Sequence, residues 1–468
     1  MLFTQSIFWI FFTLVFIALQ ANRIFYKNVL LQNIIILISS YIFYSYWDYR
    51  FLFLIIFCTI QTFYFGRKID LFRINAKLYL FTSISINILI LAVFKYFNFF
   101  YEELVVLIDN IGFNLNSSSL NLILPVGISF YVFQSLTYVI DIYKKDIRYE
   151  KDIIKYSTFV AFFPQLVAGP IERAGNLLPQ FSKIQSPSVS GAWYGIKLII
   201  FGLFLKVVIA DNLSGVVDGI FSNYSSLNGG VLALGAIYFS AQIYGDFCGY
   251  STIAIGVAKL IGFDLMINFK TPYLSTSIQD FWRRWHISLS SFFRDYVFIP
   301  LGGSRTSSFK VSRNILITFT ISGIWHGANW TFMVWGFLNG LGLIIQKYLH
   351  IFDFPILSKF RFFLGWFFTM YTVAHLWIFF RSESIMDAIY YILRMYSNLE
   401  IPNMYRTPII FVFFMFIIDM FIYRSDNLKK ELSQIPLFNY ILLSAIFSLY
   451  LGYALLSNND QAFIYFQF

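Results

Sequence analysis

Long apolar stretches, separated by short polar segments, recur along almost the whole chain. Many approach about twenty residues, the length of α-helix that crosses a hydrocarbon core about 30 Å thick. The pattern therefore predicts an all-α, polytopic integral membrane protein with about 11–12 transmembrane helices. The predicted crossings are 7–20, 29–47, 51–65, 78–97, 120–140, 193–210, 231–248, 314–327, 329–346, 361–380, 408–424 and 437–457.

Three further stretches are apolar but are interrupted by proline, glycine or charged residues. They are Ser157–Phe181, Thr252–Leu265 and Ser277–Gly303. Interrupted backbone is tolerated at membrane depth only where it is buried in protein or lines a wet cavity. We therefore predict re-entrant or interfacial helices in these stretches. The chain shows no internal repeat and no soluble segment, so it is predicted to form a single membrane domain over residues 1–468.

The charges of the polar segments alternate in a regular way. Basic residues follow the first, third and fifth predicted crossings, whereas the segments after the fourth and sixth crossings carry acidic residues and no basic ones. Cytoplasmic loops of membrane proteins carry an excess of lysine and arginine. The alternation therefore predicts that the N-terminus lies outside.

Composition narrows the class of protein further. Hydrophobic residues make up 58% of the chain and charged residues only 12%, which excludes an ordinary soluble domain. The net charge of +10 lies mainly in short loops between apolar segments, so it does not indicate a nucleic-acid partner. The four histidines and two cysteines lack the close spacing of usual metal sites, and no metal is expected.

The first candidate for chemistry is His326, in the run Trp325–Trp330. It lies about thirteen residues beyond Arg313, so an unbroken helix would place it about 20 Å from the cytoplasmic edge. An ionisable side chain at that depth marks a functional site by default. The alternative is a neutral imidazole that is hydrogen-bonded between helices. Trp325 and Asn329 are predicted to support the site, and Asn329 would orient the ring or a carbonyl if the helix continues.

The second candidate is His286, within the stretch Ser277–Gly303. Aromatic residues recur there at helical spacing and predict one amphipathic helix at the cytoplasmic interface. Arg283, His286, Ser290 and Arg294 would share its polar face. His286 is therefore predicted to face the same polar cavity as His326.

The basic face of this predicted helix has two interpretations. It could bind lipid headgroups, as basic amphipathic helices do. It could instead hold an anionic donor such as the phosphates of coenzyme A or of a carrier-bound phosphopantetheine, because guanidinium groups match phosphate geometry. The residues predicted to bind the donor are Arg283, Arg284 and Arg294.

Asp246 is a further ionisable residue at the end of an apolar segment. Acids within membranes usually have a partner. The predicted partner is Lys259, Arg283 or Arg284. A structural ion pair is the favoured role, with support of the active site as the alternative.

These residue types suit the attack of a hydroxyl on a thioester. A neutral imidazole can accept the proton of the attacking hydroxyl, and a second histidine or an amide can stabilise the developing oxyanion. The chain has no G-x-S-x-G, Walker, G-x-G-x-x-G or H-E-x-x-H motif. Serine hydrolases, nucleotide-binding enzymes and zinc proteases therefore lack their usual signals.

Several ordered motifs resemble the membrane-bound O-acyltransferase (MBOAT) family, in particular its bacterial branch of alginate and peptidoglycan O-acetylation proteins. The matching segments are Pro125–Tyr131, Phe163–Ile171, Asp246–Ser251, Phe281–Ser290, Arg294–Tyr296, Ile299–Gly303 and Trp325–Trp330. They span an expected acyltransferase core at 120–345. One departure is Asn339, where related proteins often carry a further histidine.

The resemblance implies helices around a central funnel, with the family's essential histidine at His326 and its second polar position at His286. It also implies the cytoplasmic membrane of a bacterium, acetyl-CoA as the thioester donor, an acceptor on the far side of the membrane, and a periplasmic acyltransferase as a partner.

The leading hypothesis is therefore O-acetylation of an envelope polysaccharide such as peptidoglycan or an alginate-like polymer. The alternatives are D-alanyl transfer to teichoic acid from a carrier protein, and a transporter without catalysis. Release of free coenzyme A would distinguish an acetyltransferase from a transporter.

Overall fold

The computed structural model describes residues 1–112, 122–349 and 360–427, and these residues form helices without any strand. This result confirms the all-α prediction. The helices are α1 Ser6–Ala21, α2 Val29–Asp48, α3 Leu52–Leu71, α4 Ala76–Leu91, α5 Phe97–Asn110, α6 Ile128–Lys144, α7 Ile153–Ala161, α8 Ala174–Leu177, α9 Val189–Leu203, α10 Asp211–Ser222, α11 Gly229–Ile261, α12 Ile278–Arg284, α13 Ile287–Phe293, α14 Ser308–His326, α15 Trp330–Leu349, α16 Arg361–Arg381, α17 Ile385–Met395 and α18 Ile409–Asn427.

Seven helical stretches in the described part of the chain are long and apolar enough to cross a membrane. They confirm a polytopic membrane protein. The predicted crossing 437–457 lies outside the described residues. The seven stretches are Ser6–Tyr26, Val29–Leu71, Arg73–Asn110, Val189–Ser222, Gly229–Ile261, Phe362–Arg381 and Asn403–Tyr423.

The chain divides into two compact units. The first comprises Met1–Ile199 with Ala254–Met266, and the second comprises Ile200–Ile253 with Ile267–Phe468. Aromatic rings pack the interior of the first unit, where Phe8 lies edge-on to Phe43 at 6.0 Å and Phe11 lies edge-on to Phe163 at 5.5 Å. The candidate catalytic residues all belong to the second unit.

One interrupted stretch turns out to be regular. Helix α11 continues without a break to Ile261, through most of Thr252–Leu265. Its Gly256 packs against the backbone of Gly195 on α9, and a Cβ at position 256 would lie only 2.6 Å from the Gly195 carbonyl oxygen. The glycine therefore allows close packing between helices and does not end the helix.

Helices α14 and α15 form the closely packed pair that the sequence predicts around His326. A side chain on Gly323 would collide with the carbonyl oxygen of Phe332, and one on Gly336 would collide with that of Phe319. Small residues let two membrane helices approach to backbone contact, where van der Waals packing is strongest. The pair holds the end of α14 in a fixed position.

Because this contact has no room for a methyl group, Gly323→Ala should destabilise the protein by about 1–3 kcal/mol through overpacking. The matched control is Gly219→Ala in α10, where an added Cβ meets nothing within 4 Å. Thermal unfolding of both variants in the same detergent would test this. Equal melting temperatures for the two variants would contradict the proposed packing.

Candidate active site

His326 is the last residue of α14, and it is enclosed by aromatic rings. The helix runs unbroken from Ser308 through Arg313 to His326, as the depth argument requires. Gly327 then takes an extended conformation and ends it. The imidazole is only 3% exposed, and its ring centre lies 4.9 Å from Trp325, 5.0 Å from Trp335 and 5.3 Å from Phe380.

Asn329 does not occupy the position expected of it. The prediction required α14 to continue past His326, but the helix ends there and a new one begins at Trp330. The Asn329 side chain accepts a hydrogen bond from the Thr331 backbone at 2.9 Å and donates one to the Glu383 carbonyl at 2.8 Å. It therefore caps α15 and ties it to the segment after α16.

The prediction of a single amphipathic helix in Ser277–Gly303 is also wrong. The structure has two seven-residue helices, α12 and α13, with His286 between them in a left-handed conformation at φ 43°. The break is stabilised from outside because the Asn268 carbonyl accepts a hydrogen bond from Ile287 N, and Lys270 N donates one to the Arg284 carbonyl. Backbone groups that a continuous helix would pair internally are thus paired with another segment.

The break turns His286 away from the basic face and into the protein. Its side chain is fully buried, with Phe247 edge-on at 4.6 Å between ring centres. Burial lowers the pKa of His286 to about 3, so the ring is neutral near pH 7. Trp325 lies 6.2 Å from His286 and 4.9 Å from His326, so the two histidines lie against the same indole.

A cavity of about 760 Å³ is lined by residues of α12, α13, α14 and α15, including Ile287 next to His286 and Ser322 one turn before His326. Its wall includes Arg283, Ser290 and Arg294, which do not lie on one helix as predicted, and Lys347 from α15. Neither His286 nor His326 is part of the wall. Helix α14 contributes Ile315, Thr318, Phe319 and Ser322, which form one face of the helix and lead toward His326 one turn beyond Ser322.

Arg284 is not part of the cavity wall. Its guanidinium pairs with Asp280 at 2.9 Å and lies 5.1 Å from the ring centre of Tyr423. Sequence analysis did not select Lys347, a basic residue at the end of the apolar α15. Its only signal was its position directly after the predicted crossing 329–346.

The predicted ion pair of Asp246 forms, but with Lys206 and with none of the predicted partners. Lys206 Nζ lies 3.0 Å from Asp246 and 2.7 Å from Asp211, and all three side chains are nearly inaccessible. Lys259 instead pairs with Asp264. Lys206 lies inside the predicted crossing 193–210, and a lysine at that depth was the signal that sequence analysis passed over. No group of three potential metal-binding side chains occurs in the described ranges.

Asn339 occupies the position where related proteins often have histidine. Its side chain is buried and donates a hydrogen bond to the Trp335 carbonyl at 2.8 Å, within α15. This bond satisfies the amide within its own helix. The Asn339 side chain thus hydrogen-bonds to the backbone of α15, the helix that also carries Trp335.

A buried histidine pair beside a basic cavity, in a polytopic membrane protein, is suited to transferring a group from an anionic donor. Residues 41–374 match the model of the MBOAT, membrane-bound O-acyltransferase family. The chain belongs to this family and is an O-acyltransferase. The resemblance found in the sequence is thereby confirmed.

Relatives with known names extend this comparison. The chain is 36% identical over 388 residues to the probable alginate O-acetylase AlgI of Pseudomonas putida, covering 82% of this chain and 78% of the relative. It is 34% identical over 396 residues to the peptidoglycan O-acetyltransferase of Helicobacter pylori, covering 78% and 73%. Similarity to the teichoic acid D-alanyltransferase of Streptococcus thermophilus is 29% over 234 residues, covering 47% and 56%.

The buried charges around Lys206 give a test of the structural role of Asp246. Lys206→Met would leave two buried carboxylates without their cation and should destabilise the fold by about 3–5 kcal/mol. Lys259→Met removes a lysine whose partner Asp264 is 76% exposed and should cost about 1 kcal/mol or less. Denaturation of both variants in one detergent compares them. A loss of stability no larger for Lys206→Met than for Lys259→Met would contradict a structural ion pair.

Proposed function

We propose that this protein transfers an acetyl group from cytoplasmic acetyl-CoA toward a hydroxyl of an envelope polysaccharide, with His326 as the central catalytic residue. The observation that carries the proposal is the cavity, which combines a basic wall with a face of α14 leading to His326. A donor anchored by its phosphates would direct its thioester along that face.

The basic wall fits a phosphorylated donor. Arg283, Arg294 and Lys347 line this wall, and arginine binds phosphate oxygens in bidentate geometry. Arg294 is also paired with Asp295 at 2.7 Å, so Arg283 and Lys347 are the main candidates for contact with a phosphate. The volume of about 760 Å³ lies within the range of about 300–1,000 Å³ of small-molecule sites. Coenzyme A carries several phosphates, whereas a carrier-bound phosphopantetheine carries one. More than one cation in the wall therefore favours coenzyme A.

The chemistry requires little beyond the two imidazoles. The hydroxyl attacks the thioester carbonyl, the new ester bond forms, and the thiolate leaves with the proton that the hydroxyl gives up. His326 acts as the base or transiently holds the acyl group, and His286 assists. The aromatic rings around His326 exclude water, which would otherwise hydrolyse the thioester.

The comparisons favour acetyl transfer over D-alanyl transfer. The two relatives named for O-acetylation match about four fifths of this chain, whereas the D-alanyltransferase matches about half of it. A glycan hydroxyl of an alginate-like polymer or of peptidoglycan is therefore the proposed acceptor. Delivery across the membrane would use a periplasmic acyltransferase as partner.

The orientation proposed from the loop charges agrees with this direction of transfer. With the N-terminus outside the cytoplasmic membrane, the beginning of α14 and the end of α15 face the cytoplasm. Lys347 then lies on the side from which coenzyme A would enter, and His326 lies toward the far side. The surrounding lipid is a further partner of the apolar helices.

Substitution of His326 tests the proposal directly. His326→Ala should reduce release of coenzyme A from labelled acetyl-CoA by about 10²–10⁴-fold, because a positioned imidazole contributes about that much. His375→Ala is the matched control, since His375 is a histidine of the same unit whose ring nitrogens lie against the Tyr371 carbonyl and the Tyr396 hydroxyl. Normally inserted His326→Ala protein with full turnover would refute the assignment. A wild-type protein that releases no coenzyme A would favour the transporter.

The neighbouring arginines give an internal comparison for donor binding. Arg283→Ala should weaken acetyl-CoA binding about tenfold or more, as expected for the loss of a hydrogen bond between charged groups. Arg284→Ala should leave binding nearly unchanged, because Arg284 is engaged by Asp280 and is not part of the cavity wall. Calorimetric titration of both variants measures the difference. Equal losses would indicate a general effect of charge and no phosphate site.

A further inference from the structure

Asn268 is a buried residue that sequence analysis did not select, and its side chain is central to the junction of α12 and α13. It is 1% exposed. Its Oδ1 accepts hydrogen bonds from Ser288 N at 3.3 Å and from Ser288 Oγ at 2.9 Å, and its Nδ2 donates to Ser251 Oγ at 3.0 Å. A backbone N–H can only donate, so the atom facing Ser288 must be the amide oxygen.

The same oxygen determines where His286 carries its hydrogen. His286 Nδ1 lies 3.0 Å from Asn268 Oδ1, and an amide oxygen can only accept. Nδ1 must therefore be protonated. A neutral imidazole has one ring hydrogen, so Nε2 presents a lone pair. This atom is buried and has no hydrogen-bond partner among the described residues.

We propose that Asn268 is a positioning residue that holds His286 in the Nδ1–H tautomer, so that the Nε2 lone pair accepts a hydrogen bond from the attacking hydroxyl. The proposal rests on the acyl transfer proposed above and assigns a direction to His286. A neutral His286 in this tautomer has no hydrogen on Nε2. It therefore cannot stabilise an oxyanion by donating from that atom.

The proton balance of the transfer is simple. As the ester C–O bond forms and the thioester C–S bond breaks, the hydroxyl proton passes through Nε2 to the departing thiolate, and His286 ends the reaction neutral. A ring that is buried and costly to charge releases the proton rather than keeping it. His326 is then left to act on the acyl group.

The tautomer can be observed without any turnover. The chain has four histidines, so ¹⁵N-histidine NMR gives few signals, and His286→Gln identifies the signal of His286. We expect a protonated Nδ1 and a bare Nε2 in the wild type from about pH 5 to pH 8, because the pKa of His286 is near 3. In Asn268→Ala this preference should be lost. A protonated Nε2 in the wild type, or an unchanged tautomer in Asn268→Ala, would overturn the proposal.

A pH profile tests the link to catalysis. In Asn268→Asp a carboxylate faces Nδ1–H and raises the pKa of His286, so turnover should fall as the pH drops through the raised value, where the lone pair is lost. Ser251→Ala is the control, because it removes the same Nδ2 bond without adding charge. Asn268→Ala should lower kcat about tenfold or more with little change in the KM for acetyl-CoA.

The outcomes separate the two proposals. A profile of Asn268→Asp that matches Ser251→Ala, or a loss in Asn268→Ala confined to KM, would refute the positioning role. Absence of turnover in the wild type would refute the acyltransfer proposal and with it the catalytic part of this inference, while the NMR experiment would still decide the tautomer. Should Asn268→Ala fail to fold, the near-isosteric Asn268→Asp still gives the pH profile, and the tautomer of the wild type still tests the positioning of His286.

Discussion

The hydrogen bonds between the segment around Asn268 and the junction of α12 and α13 hold the candidate site in its arrangement. Two short helices cannot end inside an apolar environment unless protein groups satisfy their free backbone atoms. The carbonyl of Asn268 and the N–H of Lys270 do so, and the Asn268 side chain adds bonds to His286 and Ser288. Without these bonds, the residues from Ile278 onward could form one helix, and His286 would face the cavity with the arginines.

Aromatic side chains also determine the surroundings of His326. Trp325, Trp335 and Phe380 surround His326, and Trp282 joins the cavity wall to Trp335 at 5.7 Å. Large rings exclude water while leaving few polar atoms that need partners. The cavity wall itself combines basic side chains with aromatic ones such as Trp282 and Phe319. Under the proposed function, the basic part would bind the donor phosphates and the aromatic part would contact the rest of the donor.

Family membership and the local geometry support different parts of the functional assignment. The match over residues 41–374 establishes the class of reaction, whereas the proposed approach of a cytoplasmic donor depends on the cavity. The buried Lys206 with its two carboxylates is a separate feature of the same unit. It joins α11 to the preceding helical segment, so these buried polar residues contribute to packing between helices.

The sequence alone determined the membrane class, the all-α fold and the paired helices around His326. These features depend on apolar length and local spacing, which are properties of nearby residues. Only the tertiary structure decided the break at His286, the pairing of Asp246 with Lys206, the exclusion of Arg284 from the cavity and the role of Asn268. Each of these depends on contacts between residues distant in the chain or on where a helix ends, and helical periodicity contains no information about either.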